Sequence, residues 1–266
     1  MVPRPRSLSS SETDAKVRRI KLTVAYDGHD FCGWAPQDGE RTIHGTLSQA
    51  VCDVANEDAD IVGASRTDSG AHAKGQVCHF DTIRPIQTSN WVRALNDLLP
   101  PDLRVIRALH VHSEFHSRFW ARDRWYRYRI QTGQIDPFRT RYTHAYGRPL
   151  DAPAMHQAAQ TFVGTHDFRA FTQLLGPADN TERTVHHIAV RQVRDEVWVD
   201  VLATAYARGM MRRLSGALFE VGRGSRDPAT LKVLLGLQSG HRPVVLPAAG
   251  LCLMRVRHSR PTSRAG

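Results

Sequence analysis

From Ile20 to Tyr26 apolar and polar residues alternate, which predicts a β-strand that Asp27-Gly28 ends. The apolar positions then change period. Ile43, Leu47, Ala50, Val51 and Val54 recur at helical spacing and predict a helix of about three turns. A loop around Asp68 leads into a strand through Phe80, its apolar run covering Val77 to Phe80. Trp91, Leu95, Leu98 and Leu99 predict a second helix, with Ser89 as N-cap and Pro100-Pro101 as its stop. Leu103 to Val111 reads as another strand.

The same rhythm returns further along. Trp125 to Ile130 predicts a strand with Tyr126, Tyr128 and Ile130 on one face and Arg127 and Arg129 on the other. Ala154 to Val163 reads as helix. Val185–Val193 and Val197–Ala205 read as paired strands around the charged turn Arg194-Asp195-Glu196. Met211, Leu214, Leu218 and Val221 mark a helix, and so do Leu231, Leu234 and Leu235; Leu251 to Val256 is a final strand. The expected fold is α+β (α/β mixed), two related lobes with a cleft between them. The expected boundaries are a disordered basic arm at 1–17, an N-terminal lobe at 18–112 carrying the Asp68 loop, a C-terminal lobe at 113–259 and a basic tail at 260–266.

Composition adds limits. With 266 residues, 41% of them hydrophobic, the chain can bury a sizeable core. No apolar run reaches the roughly 18 residues of a membrane span, and the first residues lack a signal-peptide apolar core, so a soluble, cytoplasmic protein is expected. Cys32, Cys52, Cys78 and Cys252 form no CxxC pair, which argues against a zinc ribbon and gives no reason to expect disulfides.

The charge changes the picture more. The net charge is +10, and of 36 basic residues 32 are Arg. Arg makes planar, bidentate contacts with phosphate and stacks on bases, although a GC-rich genome would produce the same bias. Position is more telling. Between Phe115 and Arg148 there are eight Arg and two acids, interleaved with Trp120, Trp125, Tyr126, Tyr128 and Tyr142. Basic residues among aromatics suit an RNA-facing groove. Arg255, Arg257, Arg260 and Arg264 close the chain, with no acid from Leu251 onward.

The chemistry concentrates in Gly63-Ala64-Ser65-Arg66-Thr67-Asp68-Ser69-Gly70-Ala71-His72. Small residues flank one acid, as in a tight loop that a ligand approaches closely. Arg66 can hold that acid ionised, since a nearby cation lowers a carboxylate pKa by roughly 1–3 units. An ionised carboxylate on a basic surface can act as nucleophile or base toward a polyanion. A solvated turn with a surface Arg–Asp pair has the same composition. His72 and His79 fit no common zinc spacing.

The chain resembles the tRNA pseudouridine synthase A family from about Ile20 to His258. The carriers are Tyr26-Asp27-Gly28, Phe31 and Gly33-Trp34; the Gly63–Asp68 loop with Gly70, His72 and Gln76; Phe115-His116-Ser117-Arg118-Phe119; Tyr126-Arg127-Tyr128; Asp167-Phe168; and Met210-Met211-Arg212 with Gly216 and Glu220-Val221-Gly222. Ser65, Ser69, Ala71 and Ala35 depart from the usual residues of these motifs. The resemblance implies a pseudouridine synthase fold, two lobes sharing a central mixed β-sheet with flanking helices. It implies isomerisation of uridine to pseudouridine at positions 38, 39 and 40 of the tRNA anticodon stem-loop, by a homodimer without metal or organic cofactor. Asp68 is then the catalytic carboxylate, Tyr126 stacks beside the flipped uracil and is a candidate for taking the C5 proton, and Arg66 and Arg212 hold the carboxylate and nucleotide. Arg66, Thr67, His72, Gln76, Arg118, Arg127 and Arg208 are the expected RNA contacts. Two rivals remain at this level: a metal-dependent nuclease or phosphohydrolase using Asp68 and His72, and an RNA-binding protein without catalysis.

Overall fold

The structure, a computed structural model, describes residues 16–172, 180–235 and 242–259. The expected tail, and all but Lys16 and Val17 of the expected arm, lie outside those residues. Strand β1 (Arg18–Tyr26) follows its alternation: Ile20, Leu22, Val24 and Tyr26 are buried, the residues between them partly exposed. Thr42 caps α1 (Ile43–Ala55) by accepting a hydrogen bond from Gly45 N at 3.1 Å, satisfying one of the free N–H groups of a helix start. The short β2 (Val62–Gly63) precedes the Asp68 loop, and β3 (His72–Thr82) follows it, beginning five residues before the apolar run that announced it. Helix α2 (Thr88–Leu98) corrects the expected cap: Gln87, not Ser89, precedes the first turn, and no side chain caps it. Burial of Trp91 and Leu95 fixes that helix, while Leu98 is mostly exposed.

After β4 (Leu103–Val111) and β5 (Ala121–Gln131) come β6 (His144–Ala145), α3 (Ala152–Ala159), β7 (Gly164–Asp167), β8 (Glu182–Val193) and β9 (Glu196–Ala203). The helix expected over 154–163 ends early, with a 3-10 turn at Gln160–Phe162. Helix α4 (Met210–Gly222), the short α5 (Thr230–Leu234) and β10 (Leu251–His258) complete the order. Strands β2, β6 and β7 are too short to show a period and were not expected.

All ten strands among the described residues join one mixed sheet in the order β4-β1-β3-β10-β5-β9-β8-β7, with β2 on β3 and β6 on β5. The β3–β10 and β5–β6 pairs are parallel and the others antiparallel. The last described strand thus lies between strands of the chain's two halves. On β5, Tyr126, Tyr128 and Ile130 are buried. Arg127 and Arg129 point to the other face and pair with Asp200 and Glu196 of β9.

Between β4 and β5 the turn at 115–120 is held from several sides. Arg19 Nη1 donates to Phe115 O at 2.8 Å, Ser117 Oγ to Val62 O at 2.5 Å, and His258 Nε2 to Ser117 O at 2.8 Å. His79 Nδ1 accepts from Ser117 N at 3.2 Å. Burial above all, with Arg19 and His116 beside His79 and Lys21 and Arg124 near His258, pushes both histidines down to about 4. Unfolded histidine titrates near ~6.5. Between those values the unfolded chain binds protons the native fold excludes, so their contribution is whole above ~6.5 and is lost as pH falls toward 4. Calorimetry is expected to show Tm falling between pH 7 and pH 5. A flat Tm across that interval would contradict the buried neutral state.

Candidate functional site

The loop at 64–71 lies on the segment that follows β1, and this explains why the opening motif has its residues. Trp34 N donates to Thr67 O at 3.1 Å and Gly70 N to Phe31 O at 3.2 Å. Gly33 has a φ of +86°, and a Cβ there would stand 2.8 Å from Thr67 O. A Cβ on Gly28 would meet Ala71 O at 1.9 Å. No side chain fits between these two segments. The Tyr26 hydroxyl bonds Thr67 Oγ1 at 2.9 Å, and Gln76 Nε2 donates to Ser65 O at 2.6 Å. Below the loop, Arg124 is buried with four carbonyl acceptors: Nη1 donates to Ala121 O and Thr204 O, Nη2 to Ala64 O and Arg118 O. Its guanidinium fastens the start of the loop to the far half of the chain.

Asp68 is half-buried. Arg212 Nη1, from the first turn of α4, lies 3.2 Å from its Oδ2, and Arg212 Nε donates to Leu246 O at 2.7 Å. Of the two arginines expected at the carboxylate, only Arg212 reaches it: Arg66 is exposed and forms no ion pair among the described residues, so the cation on Asp68 comes from 144 residues away. Arg212 and Arg213 also sit where the helix dipole disfavours cations by about 0.3–1 kcal/mol, and the first turn contains no acid. Contact with a carboxylate offsets that cost for Arg212.

Tyr126 is brought to the same place from β5. Its hydroxyl bonds Ser65 Oγ at 2.9 Å, and its ring meets Tyr206 edge-on at 4.8 Å. Burial, joined by the charge of Asp68, pushes this phenol up to about 12, although the Ser65 bond and Arg124 pull the other way.

The remaining expected contacts fall three ways. Thr67, His72 and Gln76 are buried and brace the loop. His72 Nδ1 accepts from Gly28 N at 3.0 Å and lies 3.1 Å from Asp27 Oδ1. Asp68 and His72, which a hydrolase would use together, therefore serve different partners. Arg66, Arg118 and Arg208 are exposed. Arg127 is bound to Asp200 through Nε at 2.8 Å and Nη2 at 3.1 Å, and its guanidinium stacks on Trp198 at 3.9 Å. Much of the arginine-rich stretch is likewise engaged: Arg129 with Glu196, Arg139 with Asp195 and Glu196, Arg141 with Asp27 and Asp30. Sequence reading missed Arg124 and Ser65 as members of the site. No sequence pattern marked the first; in the structure adjacent Asp123 and Arg124 are both buried, which breaks the alternation of β5 where its pairing with β10 is irregular.

A family model described as tRNA pseudouridine synthase matches residues 22–119 and 158–259. The tRNA pseudouridine synthase A of Maridesulfovibrio salexigens is 38% identical over 245 residues, covering 90% of each chain. That of Brevibacillus brevis is 37% identical over 242 residues, covering 90% of this chain and 99% of its own. Among solved structures, the archaeal box H/ACA sRNP Nop10-Cbf5 complex aligns with a TM-score of 0.35 and 10% identity, over 89% of this chain and 47% of that one.

Proposed function

Because the chain belongs to the tRNA pseudouridine synthase family, whose members isomerise uridine, we propose that it acts at positions 38, 39 and 40 of the anticodon stem-loop, with Asp68 as the catalytic carboxylate. The observation that carries the assignment is the Asp68–Arg212 contact beside the buried Tyr126. It gathers an acid, a cation and an aromatic ring from three distant parts of the chain onto one loop.

The reaction breaks N1–C1′, turns the uracil and bonds C5 to C1′. The proton then leaves C5 and N1 gains one, so the sum is an isomerisation. Asp68 can begin it by attacking C1′ or by taking the 2′ proton. Arg212 stands where it can offset negative charge on the detached uracil. Burial keeps the Tyr126 phenol protonated, with no phenolate at hand to take a proton, so Tyr126 serves as the aromatic wall against which the base turns. The Asp68 carboxylate, free again once C1′ is bonded to C5, takes the C5 proton. Flipping the uridine out of the stem-loop costs a few kcal/mol, which phosphate contacts offset.

Thr67, His72 and Gln76 are positioning residues in this reading; Arg66, Arg118 and Arg208 meet phosphate. Arg66→Ala and Arg208→Ala should each reduce the slope of log K against log salt by about 1. Arg127→Ala should leave that slope unchanged and lower the melting temperature, since its charge already belongs to Asp200. A reduced slope for Arg127→Ala would return it to the RNA path.

The segments 18–112 and 113–259 act as the two lobes around the site, in the cytoplasm where tRNA is the partner. A homodimer follows from the family resemblance and is open to sedimentation. The direct test of function is tritium release from tRNA transcripts labelled at uridine C5, followed by mapping of the product. Release confined to the anticodon stem-loop is expected; no release would overturn the reading.

A further inference from the structure

Phe119 is 77% exposed, although covering such a ring is favourable. A single exposed Phe is ordinary on a protein surface. This one is unusual in how firmly it is presented. His116 Nδ1 accepts from the backbone N–H of both Arg118 and Phe119 at 3.2 Å, and Trp120 N donates to His116 O at 3.0 Å. Together with the bonds of Ser117 to Val62 and His258, these leave the turn at 115–120 little freedom. The rings of His116 and Phe119 lie 4.2 Å apart at 30°, close to parallel, so one face of Phe119 is backed by a second ring. Arg118 lies 6.0 Å from the centre of the Phe119 ring. Phe138 is more exposed still, at 90%, yet no ring or cation stands against it among the described residues.

The turn is also coupled to the Asp68 loop. One nitrogen of Arg124, Nη2, donates both to Arg118 O at 3.1 Å and to Ala64 O at 2.9 Å. The residue before Phe119 and the residue that opens the loop thus share one donor. A rigid flat apolar face with a cation beside it suits a nucleobase, which offers a π-face whatever its identity and is joined to phosphate.

We propose that Phe119, backed by His116, is a stacking platform for a tRNA base next to the uridine that enters the Asp68 site. The proposal rests on the pseudouridine synthase reading and adds a substrate-positioning residue to it. Stacking made before the reaction and kept through it tightens binding without changing the chemical step.

The test compares Phe119→Ala, Phe119→Leu and Phe119→Trp with wild type, measuring tRNA Kd, KM and kcat by tritium release, and sedimentation mass. Phe119→Ala and Phe119→Leu are expected to raise Kd and KM roughly 10- to 100-fold, as for the loss of one stacked base, with kcat within a few-fold. Phe119→Trp should stay near wild type, and no variant should change its mass. Since no phosphate contact is removed, the salt dependence of binding should be unaltered. Phe119→Ala binding like wild type, Phe119→Leu doing as well as Phe119→Trp, or a variant of altered mass would each overturn the platform, the last by giving this face to a second copy of the chain. Wild-type release with indifferent variants removes only the platform; no wild-type release removes the reading beneath it as well.

Discussion

Asp68→Asn is expected to reduce tritium release by roughly 10⁴-fold or more, the scale on which enzymes lose a nucleophile or base, while tRNA affinity changes by less than about threefold. The amide has nearly the shape of the carboxylate and keeps an oxygen that can accept from Arg212 Nη1, so the loop should retain its form. What goes is the charge that attacks C1′ or takes a proton. Binding is expected to rest instead on phosphate contacts made by arginines elsewhere. Turnover and filter binding on one preparation test both halves. Activity that survives the substitution would exclude Asp68 as the catalytic group. Affinity that falls as steeply as turnover would make the carboxylate part of recognition.

Arg124→Met should have the largest structural effect. The guanidinium is buried and donates to four carbonyls, in Ala64, Arg118, Ala121 and Thr204. Methionine fills similar volume and donates to none of them. Leaving buried acceptors without partners costs about 1–3 kcal/mol each, and partial rearrangement brings the expected loss to about 3–5 kcal/mol. For a chain of this size that corresponds to roughly 10 °C in Tm. Below the transition, turnover should still fall, because Ala64 and Thr204 lose the group that holds the loop to the far half. A denaturant midpoint and Tm within about 2 °C of wild type would show that the carbonyls find other donors.

The two effects differ in how far the sequence discloses them. Asp68 stands in a loop of small residues, so the acid was legible; the bed that Gly28 and Gly33 give its loop was not, since Gly28 read only as the end of a strand. The partner of Asp68 was named only through the family resemblance, which implied Arg212 together with Arg66; the residues around Asp68 pointed to Arg66 alone. Arg66 is two residues away and was the natural local candidate, but in an irregular loop a spacing of two does not fix which way two side chains point. Arg212 reaches Asp68 only through the packing of α4, which no local pattern encodes. The arginine-rich stretch misled for the same reason: Asp200 and Glu196, which engage Arg127 and Arg129, come from a strand some 70 residues later. The strands and helices themselves follow from period, except at Gln87, where a helix begins without a side-chain cap, and at the short strands β2, β6 and β7. The place of β10 also lay beyond local pattern, since period shows that a strand exists and not which neighbour it pairs with.

That place has a consequence for synthesis. On the ribosome the first half can pair β4, β1 and β3, and the second half can pair β5, β9, β8 and β7, long before Leu251 is made. Until then β3 and β5 each present an open edge, the kind of surface that recruits foreign strands. The last described strand fills the gap between them, and its pairing with β3 closes a span of about 180 residues, among the slower contacts a chain can make. Residues 251–258 therefore convert two separately growing sheets into one, and nascent chains that stop short of them carry both unsealed edges into the cell.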